Sequence, residues 1–172
     1  MRLVTTAFRA HDPRWAWSPT SGDGAALHGG RFNPKGTSAL YLGLSMVGAV
    51  KEASQGFGFK IHPMLICSYE VDCEAVEDLR DVATCKRLGV AADDLSCEWL
   101  SLAASGDDPP TWALARRLIA DGVAGIVTPS FAPGANPSDA NLVLWRWGPD
   151  LPHQVRVHDP DGRLPQNDRS WR

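Results

Sequence analysis

Short runs rich in β-forming residues recur along this chain, with helical periodicity only irregularly between them, which restricts the fold to a sheet with helices laid against it. The runs are Leu3–Arg9, Ala39–Leu42, Met64–Val71, Gly125–Thr128, Asn141–Trp147 and Gln154–His158. Helical spacing is clearest over Met46–Gln55, where Met46, Val47 and Val50 supply an apolar face and Gly56 and Gly58 punctuate the end. In that segment Ser45, Ala49 and Glu52 share one flank, and the small Gly48 and Ala49 admit another backbone or a ligand. A second helix is expected over Trp112–Asp121, capped by Thr111 and stopped at Gly122. The stretch Glu74–Asp108 is acidic and less regular, with one short helix expected around Leu95–Leu102. Strands outnumber helices without regular alternation, so the class is α+β.

At 172 residues the chain reads as a single domain over 1–172, with its core at about 8–147. A chain of that length buries roughly 70% of the surface it exposes unfolded, enough for a core without staples. Apolar residues make up 44% and charged residues 22%, which excludes wholesale disorder. The net charge of −3, with basic residues mostly scattered singly and Arg116 and Arg117 among the few adjacent pairs, speaks against direct nucleic-acid binding, since phosphate neutralisation needs a concentrated cationic surface. No apolar window approaches the roughly 20 residues of a membrane span. Met1–Arg9 lacks the apolar stretch of a signal peptide, so no membrane association and a cytoplasmic location are expected. Cys67, Cys73, Cys85 and Cys97 form no C-x-x-C pair, so reduced structural thiols and no metal are expected.

The polar, Gly- and Pro-punctuated stretch His11–Gly36 is too long for an ordinary connector, and long ordered loops tend to carry function. It ends in Gly29-Gly30-Arg31-Phe32-Asn33-Pro34-Lys35-Gly36. Paired glycines permit positive φ and close backbone approach, and the planar fork of Arg31 suits phosphate oxygens. By itself this run reads equally as a turn with an exposed arginine and as an anion site. Taken singly, Glu52 reads as a solvated helix residue and Tyr41 as a half-buried strand aromatic. Arg9 and Arg31 fit structural ion pairs, and Ser130 fits a turn cap. Trp145 and Trp147 fall on one strand face by alternation, and Trp15 and Trp17 suit a partner surface or a pocket rim.

Order and spacing together say more. Gly-Gly-Arg-Phe-Asn-Pro-x-Gly, then Ala-Leu-Tyr-Leu, then Ser-x₆-Glu, then Thr-Pro-Ser with Asn-Leu-Val-Leu, resembles the RES-domain family over roughly Phe8–Trp147. Phe32 departs from that family's usual tryptophan but keeps an aromatic surface. The resemblance implies an ADP-ribosyltransferase-like fold with a mixed or antiparallel β core and flanking helices. It also implies a bacterial toxin acting on NAD⁺ as substrate, with no permanently bound cofactor. Arg31, Glu52 and Tyr41 are the catalytic residues it points to. Arg9, Arg31, Phe32, Tyr41, Ser130 and Asn141 are those it points to for binding NAD⁺.

Cleaving NAD⁺ at ribose C1 passes through an oxocarbenium-like state. Its leaving group is already cationic and departs neutral, so no general acid is required. Arg31 with Arg9 would clamp phosphate or ribose. Glu52 would stabilise the sugar cation. Tyr41 or Phe32 would stack on nicotinamide, Ser130 would position the substrate, and Asn141 would support its loop. The ADP-ribosyl group would pass to phosphate or water. The alternatives are transfer to a protein side chain, as in a mono-ADP-ribosyltransferase, and a non-catalytic dinucleotide- or partner-binding module. The implied partner is a helix-turn-helix antitoxin that occludes the NAD⁺ site, with a homodimer inside a larger hetero-oligomer.

Overall fold

The computed structural model of the chain describes residues 1–54 and 62–171. The expected end of the first long helix, at Gln55, Gly56 and Gly58, lies outside the described residues. Strands β1 (Leu3–His11), β2 (Leu40–Gly43), β3 (Leu65–Cys73), β4 (Val76–Asp78), β5 (Gly125–Pro129), β6 (Ala140–Leu144) and β7 (His153–Val157) form one sheet. Among the described residues its order is β4-β5-β6-β2-β1-β3-β7. All neighbours run antiparallel except β4 and β5.

The sheet is joined unevenly. β1 pairs with β3 along its whole length, from Leu3↔Cys73 to His11↔Leu65, whereas β1 and β2 share only Phe8↔Gly43. Two well-paired halves therefore meet at one point and part beyond it. Alternation sorts the side chains between the faces. Ala7, Leu42, Tyr69, Leu142 and Leu144 pack into one core on one face. On the other, Ile126 and Val143 pack with Phe32, Leu79, Leu114 and Leu118.

The helices are α1 (Asp23–His28), α2 (Met46–Ser54), α3 (Val82–Leu88), α4 (Ala92–Leu95), α5 (Trp99–Ser105) and α6 (Pro110–Ala120). α2 differs from its expected packing. Met46 and Val47 are exposed, and the buried residues are Gly48 and Ala49. The cause is proximity to β2, where a Cβ on Gly43 would stand 2.8 Å from the Ala49 nitrogen. Only small side chains fit between helix and strand there.

Other elements correct the sequence reading locally. α6 starts at Pro110, whose fixed φ and missing N–H suit the first helical position. Thr111 is thus a buried first-turn residue and not the cap. Gly122, at φ +82°, stops the helix as expected. The stretch thought irregular holds β4 and three helices. α3 is capped by Asp81, which accepts from the Ala83 and Thr84 nitrogens, and ends at Gly89. The helix expected over Leu95–Leu102 is broken between α4 and α5. The long early stretch contains a 3-10 turn at Pro13–Trp15 as well as α1.

β6 stops at Leu144, because the Trp145 and Arg146 nitrogens both donate to the Ala124 carbonyl. Two successive donors on one acceptor make a bulge and break the alternation. Trp145 and Trp147 consequently join different cores instead of one face. All four cysteines are unpaired. No helix among the described residues is long and apolar enough to cross a membrane.

Candidate functional site

The Gly-Gly-Arg-Phe-Asn run folds back on itself as a tight loop over β2. Gly29 takes φ +76°. Gly30 lies so close to β2 that a Cβ would stand 2.6 Å from the Tyr41 hydroxyl and 2.7 Å from Asn33 Oδ1. The fully buried Asn33 donates to the carbonyls of Ala25 at 2.8 Å and Thr37 at 2.9 Å. Its Oδ1 accepts from the Tyr41 hydroxyl at 2.8 Å, and that hydroxyl accepts from the Phe32 nitrogen at 3.0 Å. Trp112 and Trp145 add indole donors to the carbonyls of Gly30 and Phe32. This network fixes the backbone that carries Arg31. Burial pushes the Tyr41 hydroxyl well above its ordinary pKa, so it stays protonated at neutral pH.

Arg31 reaches back with Nη1, donating to the carbonyls of Cys97 at 2.7 Å and Leu95 at 3.1 Å. Its guanidinium lies 4.5 Å from the centre of the Phe131 ring. Burial lowers its pKa from the ordinary value, opposed mainly by Cys97 and then Glu52. Nε and Nη2 have no partner among the described residues, and Arg31 makes no ion pair there. A half-buried cation held by carbonyls and an aromatic ring keeps free donors in a cavity that the Glu52 carboxylate also lines.

Glu52, on α2, is held from the sheet. Its Oε1 accepts from Ser130 Oγ at 2.7 Å and from Asn141 Nδ2. Ser130 follows β5 and Asn141 lies in β6, so the carboxylate is tied to both arms of the hairpin beside its loop. A second link runs beside it. Lys51 pairs with Asp139 at 2.8 Å, and the Asp139 backbone carbonyl accepts from the Ser130 nitrogen.

Two cavities meet at this carboxylate. One, of about 230 Å³, is lined by Arg31, Phe32, Tyr41, Glu52, Trp99 and Phe131, with Thr128, Asn141 and Val143. The other, of about 260 Å³, is lined by Phe8, Arg9, Ala10, Tyr41, Leu42 and Gly43, with Ala49, Glu52, Ala53 and Asn141. Tyr41, Glu52 and Asn141 belong to both.

The structure thus brings Arg31, Tyr41, Glu52, Ser130 and Asn141 together. Arg9 borders the same site differently. Alternation along β1 puts it on the face of Ala7, and its Nη1 donates to the carbonyls of Ser21 at 2.9 Å and Pro19 at 3.0 Å. It reaches the Glu52 cavity where β1 parts from β2. Burial lowers its pKa, opposed by Tyr69 and Cys67. Phe32 is 2% exposed and belongs mainly to the core, so Phe131 presents the more open ring beside Arg31. Ser130 spends its proton on Glu52. Trp15 and Trp17 line a separate cavity of about 340 Å³ beside Arg9 and His11.

Sequence reasoning missed Phe131, Trp99 and Thr128. Phe131 directly follows Ser130, and Thr128 stands opposite Asn141 in the β5–β6 register. A pairing of those two runs would have exposed the second.

The RES domain family model matches residues 6–167. This chain belongs to the RES-domain family. No curated protein matches the sequence significantly. Among solved structures, the RES-domain chain is similar to a chain in the crystal structure of the M. tuberculosis MbcT–MbcA toxin–antitoxin complex. They are 21% identical, with a TM-score of 0.60, over 92% of this chain and 84% of that one. The α+β class and the ADP-ribosyltransferase-like fold expected from sequence both stand.

Proposed function

We propose that this RES-domain protein is the toxin of a toxin–antitoxin pair that breaks the nicotinamide–ribose bond of NAD⁺ and transfers ADP-ribose to phosphate or water. The observation carrying this reading is Glu52, fixed through one carboxylate oxygen in a cavity it shares with an Arg31 that has no ion-pair partner. A preorganised anion beside an open cation matches a substrate that develops positive charge on its sugar and carries negative charge on its pyrophosphate.

The residues divide the work. The C1–N bond breaks with its electron pair passing to the nicotinamide ring, which leaves neutral. Glu52 stabilises the oxocarbenium left on the ribose, using the oxygen not engaged by Ser130 and Asn141. A phosphate or water oxygen then closes on C1, and attacking water loses its proton to Glu52. Ser130 and Asn141 act on the carboxylate, holding it in one orientation through the step. Arg31 offers its unpartnered donors to phosphate or ribose oxygens, with Arg9 at the far border of the site. Tyr41 and Phe131 supply aromatic surface for the nicotinamide ring. Phe32 contributes mainly packing beneath it.

The similar complex contains an antitoxin, and a cognate antitoxin of the helix-turn-helix kind covering the NAD⁺ cavity is proposed here too. The test incubates the purified chain with NAD⁺, with and without phosphate, and identifies products by mass. ADP-ribose phosphate, or ADP-ribose in water alone, supports the proposal. ADP-ribosylated protein in a lysate without free product replaces it with mono-ADP-ribosyl transfer. Intact NAD⁺ throughout leaves a binding module.

A further inference from the structure

Two buried polar atoms, Thr128 Oγ1 and Asn141 Oδ1, have no hydrogen-bond partner among the described residues, and both belong to residues that line the Arg31 cavity. Their residues are 1% and 9% exposed. They stand directly opposite each other across β5 and β6, and both line the cavity with Glu52, Trp99 and Phe131. The orientation of Asn141 is fixed, because its Nδ2 donates to the Glu52 carboxylate and Oδ1 must therefore be the acceptor that remains. A buried polar group without a partner is costly. Two side by side in a cavity walled by aromatic rings describe a slot for a flat ring bearing one polar substituent.

We infer that Thr128 and Asn141 form the subsite for the carboxamide of nicotinamide, an inference that rests on the NAD⁺ reading of the site. The carboxamide N–H donates to Asn141 Oδ1, and the Thr128 hydroxyl donates to the carboxamide oxygen. The slot selects amide over acid. A carboxylate there would set a negative oxygen against Asn141 Oδ1, within the reach of Glu52. Arg31 in the same cavity pulls the other way, but its Nη1 is committed to the Leu95 and Cys97 carbonyls, and its free Nε and Nη2 are taken by phosphate or ribose oxygens once the whole NAD⁺ is bound.

Thr128 is the position to test, since Asn141 also holds Glu52. Thr128→Val keeps the shape and removes the hydroxyl. Replacing an unpaired buried hydroxyl by a methyl leaves Tm unchanged or higher, whereas a threonine with only a structural role would lower it. Binding is measured with nicotinamide and nicotinate as probes, on the wild type and the variant. Nicotinamide binding about tenfold more tightly than nicotinate, with that preference lost in Thr128→Val, supports the inference. Equal affinities, tighter nicotinate binding, no nicotinamide binding, or a variant that binds as the wild type overturns it. NAD⁺ cleavage is scored separately. Cleavage with an unaltered preference for NAD⁺ over its nicotinic-acid analogue in Thr128→Val sinks the carboxamide assignment alone. Nicotinamide bound as expected by a protein that leaves NAD⁺ intact sinks the enzymatic reading alone.

Discussion

Arg31 holds its place by giving one nitrogen to two carbonyls and keeping the rest of its fork for the cavity. A lysine can satisfy one such carbonyl but cannot present a planar pair of donors at the same time. Arg31→Lys should therefore fold normally and raise the KM for NAD⁺ about tenfold in steady-state assays. An unchanged KM would remove Arg31 from substrate binding. His11 behaves as a buried neutral base. Burial, then the neighbouring Arg9 charge, pushes it down to about 4 from the ordinary 6.5, with Asp12 opposing. Between those two pH values the unfolded chain binds a proton that the native chain does not. Stability therefore rises with pH across that interval and is lost as pH falls from 6.5 toward 4. His11→Asn should flatten that slope in denaturant titrations at pH 4.5, 5.5 and 6.5, whereas a slope equal to the wild type's would place the titration elsewhere.

Helix α2 carries Glu52 to the sheet because β2 ends in a glycine. A Cβ at position 43 would meet the backbone at Ala49 and Ser45, atoms that cannot move without the helix. Gly43→Ala should cost about 2 kcal/mol by thermal or urea unfolding, as overpacking does, and lower turnover by displacing Glu52. The Lys51–Asp139 pair sets the same helix against the β5–β6 loop. Lys51→Met should lower kcat for NAD⁺ about tenfold with little effect on KM, and Lys51→Arg should restore most of it. A change confined to KM would contradict a role in holding Glu52. These elements were unequally legible. β3, β5 and α6 announce themselves through runs of β-formers or a punctuated apolar face. α1 and α3 do not, since each is short and has no buried residue to create a periodic stripe. Their signals are local, Gly29 after one, Asp81 and Gly89 around the other. α2 misled for a physical reason, because its contact with the strand demands small residues and leaves Met46 and Val47 facing outward.

Across the whole molecule, the site exists because the two halves of the sheet share a single residue pair and then part. That geometry could not be read from residue order, since it depends on which strands pair and over what length. What could be read, through the order and spacing that resemble the RES-domain family, were candidate side chains for the site. Arg31, Tyr41, Glu52 and Asn141 are distant along the chain and meet at two cavities that share the last three, with Ser130 behind them on Glu52. Phe131 stayed hidden and Thr128 entered only within the Thr-Pro-Ser string, without a role, because an aromatic in a loop or a threonine in a strand carries no pattern of its own until its neighbour across the sheet is known. The central claim is that Glu52 does the chemistry there while its neighbours hold it. Glu52→Gln keeps an oxygen able to accept from Ser130 and Asn141, so the fold should persist and only the charge is lost. Nicotinamide release from NAD⁺ by the wild type and by Glu52→Gln measures that claim directly. A fall of about 100-fold or more, with Tm within a few degrees of the wild type, is the expected result, and equal rates from the two folded proteins would contradict the account.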